Sequence, residues 1–212
     1  MTKLLTILIA LSLTIVTACS GKNEVSKKTI SVPKTQITYE QYDSKDEFYE
    51  NLNKIITSKI PSEATPDDPV YSITSSPLSE NIYEIKESGE YMGGAYPNPI
   101  YVTTYYNKNP FKKVTGIDVF KVEKINEVAK FIIDTKRKEV GEESCLSDVS
   151  IEGAANRIKD GEFSLSQKTF DIDFDLPHAC KAFDGVSIPW ELLSKNLTAS
   201  FADELKKFTV KK

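Results

Sequence analysis

Thr169-Phe170-Asp171-Ile172-Asp173-Phe174-Asp175-Leu176 alternates strictly between non-acidic and acidic residues after its first position. Successive side chains on a strand point to opposite faces. Phe170, Ile172, Phe174 and Leu176 therefore share one face, and Asp171, Asp173 and Asp175 the other. The stretch predicts a strand buried on one side and wet on the other. Glu162 to Leu165 reads as its hairpin partner. On both sides of this pair the period changes. Pro189 opens a helical pattern with Trp190, Leu193, Leu197, Phe201 and Leu205 on one side. Upstream, Val122, Ile125, Val128, Ala129, Ile132 and Ile133 form the apolar stripe of a helix predicted over 122–139. A short helix is expected around Ile151 to Ile158.

Further upstream the strand signal returns. Ile100-Tyr101-Val102-Thr103-Thr104-Tyr105-Tyr106 is β-branched and aromatic throughout. Ile82-Tyr83-Glu84-Ile85 and Tyr71, Ile73, Ser75 alternate. Pro61 to Pro69 holds three prolines and three acids in nine residues and reads as a loop. Before it, Ser44 with Glu47 three residues later matches a capping box. Phe48, Leu52, Ile55 and Ile56 follow at helical spacing, so a helix is predicted over about 45–59, stopped by Pro61. Ser31 to Tyr42 offers a first strand. Helices first, middle and last around short strands predict an α+β fold. The expectation is a mostly antiparallel sheet of five or more strands packed with two to three helices.

The N-terminus carries an address. Lys3 is followed by an apolar run from Leu4 to Val16, then Val16-Thr17-Ala18-Cys19. Charge, short apolar run and small residues make a secretory signal over 1–18, too short for a comfortable membrane span. Small residues ending at a cysteine resemble the lipobox of bacterial lipoproteins. That resemblance implies cleavage before Cys19 and lipid on its thiol and amine. Two or three acyl chains, at about 0.8 kcal/mol per buried CH₂, would anchor the domain to a membrane. Ser20, rather than Asp, favours the outer membrane where there are two. Residues 19–33, polar and rich in Lys and Ser, read as a lipidated tether, and 34–212 as the folded domain.

The 212 residues carry 27 basic and 31 acidic side chains. Removing residues 1–18 takes away only Lys3, leaving 26 basic against 31 acidic, or −5. This argues against a nucleic-acid partner, which requires a basic face. It suits a cationic partner, although mild acidity also serves solubility. With Cys19 lipidated, Cys145 and Cys180 remain, and an oxidising compartment predicts that they pair. Two buried thiols are the alternative.

Few residues invite catalysis. His178 precedes Cys180 by two, so a Cys–His pair is conceivable. A disulfide would consume that thiol, and no third orienting group stands out. One His and two Cys lack the spacing of a zinc site. Asp171, Asp173 and Asp175 resemble the opening of a calcium loop, yet Leu176 and Ala182 fill positions that need Gly and Glu. No metal and no cofactor is therefore expected. Asn196-Leu197-Thr198 matches a glycosylation sequon inside a predicted helix and reads as coincidence.

Tyr91-Met92-Gly93-Gly94-Ala95-Tyr96-Pro97-Asn98 is different. Paired glycines permit positive φ or close approach by another molecule. Pro97 and Pro99 stiffen the chain on the far side of them. Tyr91, Met92, Tyr96 and Tyr101 offer large contact areas at small entropic cost. A rigid connection with its aromatics on the core is the alternative.

The Gly-Gly-Ala-aromatic-Pro-Asn run, Gly93 to Asn98, resembles the Gly-Gly-Ala-His-Pro-Asn signature of a bacterial extracytoplasmic domain family. Its members include the outer part of the lysozyme-sensing anti-sigma factor RsiV and the non-catalytic part of the peptidoglycan deacetylase PdaC. The order downstream is similar: the Tyr-rich strand, Gly-x-Asp-x-Phe at Gly116 to Phe120, then a helix. Phe170 to Leu176, Gly185 and Ile188-Pro189-Trp190 resemble the family's closing landmarks. The likeness spans roughly residues 35 to 200. Tyr96 stands where the family usually has histidine, and tyrosine cannot carry protons or bind metal near neutral pH. Pro177-His178-Ala179-Cys180 also departs from the pattern.

The resemblance implies a non-catalytic binding lipoprotein of the envelope that faces the periplasm or the extracellular side. Its partner would be a lysozyme-like wall-degrading protein or peptidoglycan, touched by Tyr91 to Asn98. With no sigma-binding or deacetylase segment in view, neither of those activities is carried over. A wall-acting hydrolase or deacetylase built on paired carboxylates is the enzymatic alternative. A structural envelope-assembly lipoprotein is the third.

Overall fold

The structure is a computed structural model. It describes residues 24–32, 35–60, 71–91, 98–140, 146, 149–174, 176, 180 and 184–208. The fold is α+β, as expected. One sheet has six strands in the order β1-β2-β3-β4-β5-β6, and a second has three, β7-β8-β9. The strands are β1 (Glu24–Val32), β2 (Thr35–Asp43), β3 (Tyr71–Pro77), β4 (Ile82–Tyr91), β5 (Asn98–Asn107), β6 (Lys112–Lys113), β7 (Ser164–Leu165), β8 (Thr169–Ile172) and β9 (Val186–Pro189). The helices are α1 (Glu47–Ser58), α2 (Gly116–Val119), α3 (Ile125–Val140), α4 (Ile151–Asp160), α5 (Trp190–Leu193) and α6 (Ala199–Leu205).

The chain forms two compact units. The first comprises residues 1–75 with 85–102, the second 76–84 with 103–212. In the first, β1 and β2 pair antiparallel from Glu24↔Asp43 to Val32↔Thr35. The strand β1 occupies residues expected to be tether. Thr29 and Ile30 favour extended backbone there, and Lys27 and Lys28 give it the charged character of a protected sheet edge. β2 and β3 run parallel, with Ile37↔Tyr71 and Tyr39↔Ile73. A parallel pair needs a crossover, and α1 lies in that connection. Phe48, Tyr49, Leu52 and Ile56 are its buried face. Asn53 ties it to β2 through two hydrogen bonds of 2.9 Å with the backbone of Tyr42, donating to the carbonyl and accepting from the N–H. Its N-cap is Asp46, whose carboxylate accepts from Phe48 N at 2.9 Å. Ser44, the expected cap, instead accepts from the Asp46 N–H at 3.1 Å.

The second unit holds the larger core. Ile125, Val128, Ala129, Ile132 and Ile133 of α3 are fully buried, as their spacing predicts. A 3₁₀ turn, Val122–Lys124, starts that helix. The apolar residues of the opening octapeptide, Phe170, Ile172, Phe174 and Leu176, are all buried. The paired strand is shorter than the pattern, since β8 bonds to β7 and β9 only over Thr169–Ile172. Aromatic rings run through this core: Phe163–Phe170 at 5.1 Å, Phe120–Phe170 at 5.1 Å, Phe170–Trp190 at 5.8 Å and Trp190–Phe201 at 5.4 Å. The buried Trp190 donates its Nε1–H to the Ser166 carbonyl at 2.9 Å, which satisfies the ring's one polar group.

The continuous C-terminal helix expected from Pro189 is corrected to three pieces: α5, a 3₁₀ turn at Ser194–Asn196, and α6. Thr198 breaks the run. It takes extended backbone and caps α6 by accepting from Phe201 N at 3.2 Å. Trp190, Leu193, Leu197 and Phe201 are buried all the same. The sequon falls in this break, with Asn196 itself buried. Gly116 permits close approach of α2 to α4, because a Cβ there would lie 2.5 Å from the Ile158 carbonyl oxygen.

Candidate functional site

The expected contact segment joins β4 to β5. Tyr91 ends β4 and Asn98 begins β5. Met92, Gly93, Gly94, Ala95, Tyr96 and Pro97 lie outside the described residues, as do Cys19, Cys145 and His178. What can be read is the strand that leaves the segment. Thr104, Tyr105 and Tyr106 are buried, whereas Tyr101 is 79% exposed and Val102 46%. The end of β5 nearest the glycine segment therefore presents a large uncovered aromatic ring.

On one side β5 is bordered by β6. Among the described residues, β6 pairs with it only at Tyr106↔Lys113 and Asn107↔Lys112. One further bond, Val114 N to Tyr105 O at 2.8 Å, closes that side.

A second group sits on the first unit and was not foreseen. Glu87 of β4 is 9% exposed. One of its carboxylate oxygens pairs with the Lys59 ammonium, and the other accepts from the Tyr71 hydroxyl. Burial, then the bond to Glu87, pushes the Tyr71 hydroxyl up. Such a tyrosine holds its proton and is a poor nucleophile or base. The group ties the last turn of α1 to β3 and β4. Sequence pattern could not find it, because Lys59, Tyr71 and Glu87 come from three elements.

The second unit has an open cleft of about 610 Å³, bordered among others by Lys136, Glu139, Asp171, Asp173 and Asp184. Lys136 is 7% exposed and pairs with Glu139 at 3.3 Å. Asp171 accepts from Thr169 Oγ1 at 3.1 Å, and Asp184 accepts from Phe174 N at 2.7 Å. Asp173 is exposed, as the alternation predicts, whereas Asp171 is half-buried with its Oδ1 out of solvent. Among the described residues no group of three His, Cys, Asp or Glu side chains could hold a metal ion. Cys180 is half-buried against the core. Its expected partner, Cys145, falls outside the described residues.

Solved structures similar to this chain include two DUF3298 proteins. One is a DUF3298 family member from Bacteroides fragilis NCTC 9343, with 13% identity and a TM-score of 0.49, covering 93% of this chain and 98% of that one. The other is a DUF3298 family protein from Pseudomonas aeruginosa PAO1, with 12% identity and a TM-score of 0.45, covering 85% of this chain and 94% of that one. At these scores neither carries fold or function over to this chain. No protein-family model matches it, and no curated protein does. Among the described residues no helix is long and apolar enough to cross a membrane.

Proposed function

We propose that this protein is a membrane-anchored, non-catalytic binding lipoprotein of the bacterial envelope, which recognises a cationic wall-directed protein of the lysozyme type. The observation that carries the reading is the exposed Tyr101 on β5, next to the Gly93–Asn98 segment. A rigid ring left in water beside a glycine-rich connection is the kind of anchor that protein contacts use. Three sequence features support it: the signal with Cys19 at its end, the −5 charge after residue 18, and the resemblance of the segment itself. An acidic domain gains association rate toward a cationic partner, and salt screens that gain.

The test is binding of residues 20–212, oxidised, to lysozyme and to peptidoglycan fragments at two salt concentrations. Lysozyme binding that weakens with salt is expected. Tyr96→Ala should weaken it while leaving the melting temperature in place. Binding to neither ligand rejects the reading. Release of product from the wall fragments would replace it with the enzymatic one.

A further inference from the structure

We infer that the cleft bordered by α3, β8 and β9 is a binding site for a neutral polyhydroxyl ligand, a sugar unit. Every residue that borders it belongs to the second unit. The site shares no residue with Tyr91 to Asn98 or with Tyr101, and it does not rest on the partner reading.

Lys136 is a residue that packing does not explain. Ile125, Val128, Ala129, Ile132 and Ile133 bury one stripe of α3, and Lys136 occupies the next position of that stripe. Its side chain is 8% exposed. An apolar residue would fill this position without taking a charge out of water. An ammonium carries three N–H donors. Among the described residues this one makes a single bond, to Glu139 Oε2 at 3.3 Å, and the Glu139 side chain is 61% exposed. So long and wet a bond offsets little of the cost of burial. On the strand side of the cleft, Asp171 has the complementary need. Its Oδ2 accepts from Thr169 Oγ1 at 3.1 Å, while its Oδ1 is out of solvent and accepts no hydrogen bond. Buried polar atoms of both kinds take partners as a rule.

The two needs together select the ligand. Lys136 requires an acceptor and Asp171 a donor, and a hydroxyl is both. An anion would answer Lys136 but would meet four carboxylates, Glu139, Asp171, Asp173 and Asp184, against that one ammonium. An organic cation would answer Asp171 but set a second positive charge beside Lys136. Among the described residues no ligand set for a metal ion exists. A neutral ligand with hydroxyls on neighbouring carbons serves the ammonium and the carboxylates at once. The volume of about 610 Å³ falls within the range of small-molecule sites. The rim is also held in place. Asp184 is fixed by Phe174 N at 2.7 Å, and Asp171 faces the exposed Ser187 across the β8–β9 ladder. Gly185, at φ +81°, lets the chain entering β9 approach Asp173, since a Cβ there would lie 2.5 Å from the Asp173 Oδ1.

The experiment titrates the full-length protein, in a detergent without a sugar headgroup, with glucose, N-acetylglucosamine and their β-1,4-linked dimers, and separately with spermidine. Saturable binding of at least one saccharide is expected. Lys136→Met keeps the apolar stem and removes the ammonium. It should weaken that binding by at least ~10-fold, the worth of a hydrogen bond to a charged group. Its melting temperature should equal or exceed that of wild type, because a buried charge has gone. Ser187→Arg, at an exposed position, places a guanidinium on the carboxylates and should abolish binding; it decides alone if Lys136→Met does not fold. Binding of no saccharide, or of spermidine alone, overturns the inference. Saccharide binding that survives both substitutions overturns it as well.

Discussion

The Tyr105 hydroxyl and the backbone of Leu165 form a reciprocal pair: the hydroxyl accepts from Leu165 N at 2.8 Å and donates to Leu165 O at 3.4 Å. Burial pushes this hydroxyl up to about 12, so it keeps its proton through the range in which proteins fold. Tyr105→Phe leaves the Leu165 N–H without its partner inside the core. The expected loss is about 1–3 kcal/mol, read from the urea midpoint at unchanged m-value. A midpoint equal to wild type would show that water takes over the bond.

Glu204 gives a pH prediction. Burial alone would push its carboxyl up, but hydrogen bonds from Ser79 and Asn81, with Lys207 nearby, outweigh burial and hold it below its ordinary value. A carboxyl depressed in the folded state binds its proton more readily when unfolded. Its stabilisation is present above the unfolded value and fades as pH falls through the lower folded one. Glu204→Gln should therefore cost stability at pH 7 and progressively less in acid. Melting temperatures of the two proteins, measured from pH 7 downward, should converge. Parallel curves would show that Glu204 acts by packing.

Gly161 ends α4 at φ +78°, and a Cβ on it would lie 2.7 Å from the Val114 carbonyl oxygen. A left-handed residue with a side chain costs roughly 1–2 kcal/mol before that contact is counted. Gly161→Ala should lose at least this much in chemical unfolding.

Cys180 offers a fourth test. If Cys180 pairs with Cys145, peptide mass analysis without reductant will join the two segments. Cys145→Ser should then lower stability by roughly 3–4 kcal/mol on the chain-entropy model. A peptide joined to any other cysteine would reject the pairing.

Much of the core was legible because period reports burial. The spacing in α1 and α3 and the alternation at Phe170 to Leu176 mark mostly residues that the structure buries, but Val122, read as part of the α3 stripe, is 64% exposed, and Ile55, read as part of the α1 stripe, is only half-buried. What was missed depends on local competition or on distant neighbours. Thr198 lies on an apolar stripe that continues through it, so only its capping hydroxyl reveals the break. Asp46 and Ser44 are both good caps, and the choice between them rests on one backbone bond. The strand β1 hides among lysines because an edge strand need not look apolar. The Lys59–Glu87–Tyr71 group could not be seen before the strands were ordered. Of the expected contact segment, the sequence marks the composition, and the structure adds the exposed ring of Tyr101 beside it.

The early start of β1 sets a leash. Only residues 20–23 separate Cys19 from Glu24, the first residue of β1. Fully extended, those five chain steps span at most ~18 Å. A lipid on Cys19 would thus moor the first strand about half a bilayer's thickness from the headgroups. So short a mooring cannot sweep the surrounding space; a molecule held this way waits for traffic that reaches the membrane.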